Sequence, residues 1–156
     1  MKPFKPRNFV PAQINWGEWS QIEPLFDALE KRAAECKTVQ DLERWLLAGS
    51  ELMAAFDEEG SRRYIAMTCH TENPEAEKAY LHFVENIEPQ IKPRQFRLSE
   101  IYLKHPLRKQ LPKQRYEVFD RDRQVHVDLF RQENVPLQTE EAKLGQQYQK
   151  LSGSLT

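Results

Sequence analysis

The stretch that decides the fold runs from Thr38 to Thr71 and reads TVQDLERWLLAGSELMAAFDEEGSRRYIAMTCHT. Most of its apolar and small residues recur every three or four positions, which places them on one stripe of an α-helix. The stripe consists of Leu42, Trp45, Leu46, Gly49, Leu52, Met53, Phe56, Gly60, Arg63, Tyr64 and Met67. The pattern predicts one very long helix over about 39–70, with a length of ~48 Å at ~1.5 Å per residue. Such a helix needs packing partners along its whole length.

The sequence also indicates where this helix begins and whether it is interrupted. Thr38 can accept a hydrogen bond from a backbone N–H of the first turn, and Asp41 places a carboxylate at the positive end of the helix dipole. Gly60 and Ser61 could end one helix and begin another. Because the apolar face continues in phase beyond Gly60, we favour one unbroken helix, in which the glycine lets another backbone pass close by.

Upstream of the long helix, the sequence predicts an extended arm over 1–15 and then a first helix. Three prolines in the arm favour an extended chain: Pro3, Pro6 and Pro11. The spacing then becomes helical, with one face formed by Trp16, Trp19, Ile22, Phe26, Leu29, Ala33 and Cys36. The link Lys37-Thr38 is short, so the first helix and the long helix should lie antiparallel.

A second clear helix start follows the long helix. The segment Asn73-Pro74-Glu75 combines an N-cap residue, a proline at the first helical position and an early carboxylate. It predicts a helix over about 74–104. Pro89 and Pro93 each remove a backbone donor and crowd the preceding turn, so this helix should kink or stop near Glu88.

Two more helices are predicted in the last third of the chain. The first of these, the fifth helix if the kinked helix counts as two, is marked by Tyr116, Phe119, Val127 and Phe130. Its segment Val125–Leu129 nevertheless alternates as a strand does. Asn134 and Val135-Pro136 should end it. We expect Thr139 to cap the last helix. The predicted core face of that helix consists of Ala142, Leu144, Tyr148 and Leu151.

The composition agrees with an all-α fold, an antiparallel bundle of about five to six helices over 16–156. The chain has 156 residues, enough for one domain, with five glycines and 30% charged residues. Its formal net charge of −1 gives no overall reason to expect a nucleic acid or a membrane as partner. Cys36 and Cys69 lack CxxC spacing, which favours reduced thiols in a cytoplasmic protein.

No catalytic or metal-binding residue is predicted in this chain. A helical zinc peptidase would show His-Glu-x-x-His, and the sequence lacks that motif. The nearest approach is His82-Phe83-Val84-Glu85-Asn86, so we expect His82 to be an ordinary helix residue. Cys69-His70-Thr71-Glu72 offers three ligand types, but adjacent helix positions point about 100° apart and do not converge on one metal ion.

Charged residues form one basic segment, 92–115, and one acidic group. The basic segment contains Lys92, Arg94, Arg97, Lys104, Arg108, Lys109, Lys113 and Arg115, with Glu100 as its acidic residue. It could contact phosphates, but in a nearly neutral chain we favour pairing with acidic faces of neighbouring helices. The acidic group is expected to form a solvated face and consists of Glu51, Asp57, Glu58 and Glu59.

Several segments together resemble a known family. They are Trp19 with Ile22–Leu29, then Leu42–Leu46, Arg62–Thr68, Phe130–Leu137 and Tyr148–Leu155. In order and spacing they are similar to the amino-terminal part of oligoendopeptidase F-like zinc metallopeptidases of the thimet type. That family cuts short peptides in a channel between helical lobes, with zinc held by a His-Glu-x-x-His helix in a downstream catalytic domain.

The resemblance implies that this chain is a non-catalytic lobe, truncated at its carboxyl end and inactive alone. Its partners would be the remainder of the peptidase chain and, in the complete enzyme, short peptides. A free-standing helical module that uses 92–115 to bind RNA or an acidic protein is the alternative, and a plain helical scaffold is a third.

The long helix also carries more apolar residues than one neighbour can cover. The surplus comprises Leu46, Leu47, Ala48, Met53, Ala54, Ala55, Ile65, Ala66 and Met67. Exposed apolar helix faces of this kind favour a homodimer.

Overall fold

The computed structural model describes residues 7–70 and 72–153, and all regular structure within them is helical. The six α-helices are α1 (Trp19–Glu35), α2 (Val39–Cys69), α3 (Pro74–His82), α4 (Glu88–Lys104), α5 (Lys113–Leu129) and α6 (Asn134–Gly153). A π-helical turn, Phe83–Ile87, joins α3 to α4, and a 3₁₀ turn, Pro106–Gln110, precedes α5. The predicted all-α bundle, its very long helix and its kinked helix are therefore confirmed. No helix in these two ranges is long and apolar enough to cross a membrane.

The amino-terminal arm is described in part. Residues 7–15 contain no helix, and residues 1–6 of the expected arm lie outside the described residues. Thr71, the last residue of the stretch 38–71 quoted above, also lies outside the described residues. Helix α1 begins at Trp19, and Trp16, which precedes it, is nevertheless buried in the core.

Helix α2 begins as the sequence predicts and passes Gly60 without a break. The Thr38 hydroxyl accepts from the Asp41 N–H at 3.1 Å, and the Asp41 carboxylate accepts from the Thr38 N–H at 2.9 Å. This reciprocal capping box satisfies two backbone N–H donors that have no hydrogen-bond partner within the helix itself. A Cβ atom at Gly60 would lie 3.2 Å from the Phe83 ring. The glycine thus admits an aromatic ring, where we had expected a backbone.

Different elements cover the two halves of α2. Helix α1 packs on the first half, where the Trp45 indole N–H donates to the Leu29 carbonyl at 2.8 Å. Helix α3 and the π-helical turn pack on the second half, where the Phe56 and Phe83 rings stack with centroids 5.0 Å apart. The core formed in this way contains Val10, Trp16, Ile22, Phe26, Leu29, Ala33, Leu42, Trp45, Leu52, Ala55, Phe83, Ile87, Ile91, Tyr102 and Leu111.

The kink predicted from the two prolines takes the form of the π-helical turn. Pro89 has no N–H to donate to the Glu85 carbonyl, and its ring crowds that turn. The turn widens, so that the Glu88 N–H donates to the Phe83 carbonyl five residues back. The chain remains helical through Pro93, which lies inside α4. The helix therefore kinks one turn before Pro89 and does not stop.

The end of the chain differs from the sequence prediction. Helix α5 includes Val125–Leu129, so the helical interpretation of that segment is correct. Helix α6 begins at Asn134, and Thr139 lies inside it with its hydroxyl bonded to the Val135 carbonyl. The predicted core face of α6 is wrong: Leu144, Tyr148 and Leu151 are 63%, 72% and 67% exposed. Helical spacing showed that these residues share a face but did not show which way the face points.

Glu51 was expected on a solvated face, and the structure corrects this. Its carboxylate accepts backbone N–H bonds from Asn8, Phe9 and Val10 at 3.0, 2.7 and 2.8 Å. Partial burial alone would raise the pKa of Glu51, but these three bonds more than offset it and the pKa is lowered. One carboxylate thus anchors the arm to α2.

We expect Glu51→Gln to detach the arm, because a neutral amide oxygen replaces a carboxylate that satisfies three donors. The loss should be about 1–3 kcal/mol of unfolding free energy, with faster amide hydrogen exchange at residues 8–10. Glu58→Gln is the matched control, since Glu58 also contacts the arm through the Arg7 side chain but bonds no backbone N–H of residues 7–15. Equal exchange at 8–10 in both variants would contradict the anchoring role.

Candidate functional site

The histidine and cysteine positions considered from sequence do not form a site. The His82 ring accepts from the Asn86 side chain at Nδ1, which leaves Nε2–H to donate to the Gly17 carbonyl at 2.9 Å. His82 thus ties α3 to the segment that precedes α1. His70 and Glu72 lie 3.8 Å apart at the end of α2. Across residues 7–70 and 72–153, no three His, Cys, Asp or Glu side chains are grouped to hold a metal ion.

Much of the basic segment 92–115 pairs with carboxylates inside the fold. Arg94 lies between α4 and α1 and bonds Glu30 at 2.8 Å, Glu23 at 3.4 Å and Asp27. Further along, Arg108 bonds Asp120 at 2.8 Å. Arg97 bonds Glu30, and Arg115 bonds Glu43 at 3.3 Å. These pairs fix α4 against α1 and fix the start of α5 against α2.

We expect Arg94→Met to lower the unfolding free energy by about 1–3 kcal/mol, because it removes a half-buried guanidinium that bonds three carboxylates of α1. Arg97→Met is the control. It should cost less than about 1 kcal/mol, since Arg97 is exposed and Glu30 keeps its bond to Arg94. Urea denaturation followed by circular dichroism measures both. Equal losses would show that the Arg94 cluster is no more than a set of surface ion pairs.

A groove with largely apolar walls lies between α2, α4 and α5, next to the core. We call it the central groove. Its walls are Trp45, Leu46, Gly49, Ser50 and Met53 of α2, Gln95, Leu98, Ser99 and Tyr102 of α4, and Phe119 and Arg123 of α5. Apolar walls with a few polar groups are typical of surfaces that receive a ligand or a helix.

Gly49 leaves the α2 wall of the central groove open. Apart from its own chain neighbours and the adjacent helix backbone, no atom of the described residues lies within 4 Å of the position that its Cβ would occupy. A glycine inside a helix costs roughly 0.5–1 kcal/mol relative to alanine. Nothing within the described residues uses the space that this glycine leaves, so the space is available to a group from outside.

The opposite wall of the groove is held in place by polar contacts. The Ser99 hydroxyl is buried, and it bonds the Gln95 carbonyl and the His126 ring at 3.0 and 3.1 Å. Burial lowers the pKa of His126, and the neighbouring Arg123 lowers it further. Burial also raises the pKa of Tyr102, whose hydroxyl donates to Asp120 at 2.6 Å. These groups keep α4 and α5 in fixed positions beside the groove.

A second hollow lies between α2 and the kinked helix and contains two acidic residues. Its lining includes Asp57, Gly60, Tyr80, Phe83 and Glu88. Burial raises the pKa of Glu88, an effect opposed by Lys92 and reinforced by Asp57. Partial desolvation also raises the pKa of Asp57, although Asp57 lies at an exposed position, in agreement with the predicted solvated face.

We expect Glu88→Gln to stabilise the fold at pH 8. A carboxyl whose folded pKa is raised destabilises the fold when ionised, and that penalty disappears as the pH falls through the folded pKa to below the ordinary value. The gain of the variant over the parent chain should therefore shrink to nothing near pH 4. Thermal unfolding across this range, with exposed Glu117→Gln as control, measures the effect. A gain independent of pH would contradict the assignment.

The sequence indicated part of the central groove. Leu46, Gly49 and Met53 belong to the α2 stripe that the sequence predicted. The sequence did not indicate that Arg123 lines the groove or that Ser99 bonds His126. No local pattern relates residues that are 27 positions apart in the chain.

Comparison with known proteins gives one match. A profile of the family described as "Peptidase M3 N-terminal domain" matches residues 9–130, which covers α1 to α5. Curated proteins and solved structures gave no match. The matched range ends at Phe130, where α5 gives way to the turn before α6. The helices that build the core and the central groove thus all lie within it, and the chain belongs to the peptidase M3 N-terminal domain family.

Proposed function

We propose that this chain is the non-catalytic amino-terminal lobe of an oligopeptide-cleaving zinc metalloendopeptidase and forms a wall of its substrate channel. Membership of the peptidase M3 N-terminal domain family supports the class of enzyme. The oligoendopeptidase F-like type rests on the resemblance of the sequence segments. Cys36 and Cys69, both free thiols, agree with a reducing cytoplasmic location.

The zinc ion and the catalytic residues are proposed for the remainder of the peptidase chain. The described residues offer no set of ligands that fits zinc. In that remainder, a His-Glu-x-x-His helix would hold the ion, which would activate a water molecule for attack on the peptide bond. The role of this chain is to bind and orient: it supplies a rigid wall and limits access to short peptides.

The observation that carries the proposal is the open α2 wall of the central groove. The groove combines exposed apolar surface with the empty space at Gly49, within the part of the chain that the family profile matches. A helix of the remaining peptidase, or a peptide substrate, can approach the backbone of α2 there more closely than at any residue with a side chain. We therefore place the channel-facing side at the central groove.

The first test reads the coding sequence beyond residue 156 for His-Glu-x-x-His. The second uses the complete peptidase with Gly49→Gln, which fills the groove, and Gly145→Gln as matched control. Both glycines lie inside helices with no atom within 4 Å of a Cβ, so both variants should fold. We expect Gly49→Gln to lower kcat/KM for a quenched-fluorescent peptide at least about tenfold, and Gly145→Gln to leave it unchanged.

Two results would contradict the proposal in different ways. Lack of the zinc motif in the complete coding sequence would reject the peptidase assignment. Equal activity of the two glycine variants would reject the channel-wall role of the central groove.

The alternative, an RNA-binding or acid-binding module that uses 92–115, has less support. Arg94, Arg108 and Arg115 already bond carboxylates of this chain. Binding of a phosphate backbone would have to replace those bonds. Gel shifts over a salt series test this alternative, because phosphate contacts make affinity fall steeply with salt.

A further inference from the structure

Helix α6 has its larger apolar side chains on the outside. The buried and half-buried positions are Val135, Thr139, Ala142, Lys143 and Gln146, on one side of the helix. On the opposite side, Leu137, Leu144 and Tyr148 are 66%, 63% and 72% exposed. Single exposed leucines are ordinary in soluble proteins, but an aligned row of large apolar side chains is a mark of an interaction surface.

Polar contacts hold α6 in this orientation. Gln146 donates to Glu77 at 2.7 Å, Lys150 bonds the same carboxylate at 2.8 Å, and Lys143 bonds Glu85 at 3.1 Å. These bonds join the inner side of α6 to α3 and to the π-helical turn. Rotation of α6 to bury its leucines would break all three, so the outward row is a fixed property of the fold.

The outward row has the spacing of a coiled-coil seam. Leu137, Glu141, Leu144 and Tyr148 are separated by steps of four, three and four residues. Alternating steps of four and three keep side chains on the line along which two helices pack as knobs into holes. The natural occupant of such a seam is another helix, and we name these four residues the α6 seam.

We propose that the α6 seam packs against the α6 seam of a second copy of this chain, with the two helices antiparallel. In this register Leu137 lies opposite Tyr148 of the second copy, and Glu141 lies opposite Leu144 of the second copy. In each pair the two residue numbers add up to the same value. A twofold axis between antiparallel helices requires this, because it exchanges the two members of every pair. Parallel packing would instead place Glu141 against Glu141, two like charges in the centre of the seam.

The edges of the seam are self-complementary in the antiparallel arrangement. Glu140 lies near Gln147 of the second copy, so that a carboxylate faces an amide donor. A seam of four residues buries less than the roughly 1,200–2,000 Å² of a stable interface. The dimer is therefore weak and forms between micromolar and millimolar concentration. It does not depend on the peptidase assignment, since α6 lies outside the range that the family profile matches.

Sedimentation equilibrium of the whole chain, from micromolar to millimolar protein, measures the association. We expect Leu144→Glu to weaken it at least about tenfold and Glu141→Leu, which completes the seam, to strengthen it at least about tenfold. Leu47→Glu is the control, because Leu47 on α2 is also 63% exposed. A monomer throughout, or dissociation by Leu47→Glu and not by Leu144→Glu, would overturn the proposal.

Disulfide trapping tests the direction of the helices. In a Cys36→Ser, Cys69→Ser background, the double variant Leu137→Cys, Tyr148→Cys should form a covalent dimer on mild oxidation. Its two thiols lie about 16 Å apart along one helix, too far to bridge within one chain. Neither single variant should cross-link efficiently. Efficient cross-linking of both single variants would mean parallel helices, and no cross-linking of the double variant would also overturn the proposed register.

Discussion

The length of α2 is the constraint on which the rest of the structure depends. A helix of 31 residues cannot be covered by one neighbour of ordinary length in a chain of this size. Helix α1 is 17 residues long and covers the first half. The chain must therefore return along the second half, and it does so through α3 and the π-helical turn. The order of the bundle follows from this need for two successive partners.

The π-helical turn makes that return compatible with two prolines. It relieves the turn before Pro89, and in the same five residues it buries Phe83, Val84 and Ile87. Phe83 occupies the space left by Gly60 on α2. The π-helical turn that accommodates Pro89 thus also supplies the ring that fills the space at Gly60. Beyond that contact α4 lies against α1, where Arg94 bridges to three carboxylates.

Periodicity predicted α1, α2 and α4 well because each of them buries one face in the core. The capping box at Thr38 and the helix start at Asn73 are local signals, so they could be read directly. The bonds of Glu51 to the arm could not, since they join residues more than 40 positions apart. The orientation of α6 was wrong for another reason: spacing groups residues on a face but cannot show whether the face packs inside its own domain.

The central groove could also be predicted only in part from the sequence. Its α2 wall lies on the stripe that the sequence indicated, but its α4 and α5 walls depend on tertiary contacts such as the Ser99–His126 bond. The stripe contributes to the core through Leu42, Trp45 and Leu52 and to the open groove through Leu46 and Gly49.

A stripe wider than one neighbour can cover therefore has two consequences in this fold. One edge of it holds the bundle together, and the other edge remains available to a group from outside the described chain. The α6 seam shares no residue with that edge. Occupation of the central groove by one partner and of the α6 seam by another would not compete for the same side chains, so the proposed channel-wall role is compatible with the proposed self-association.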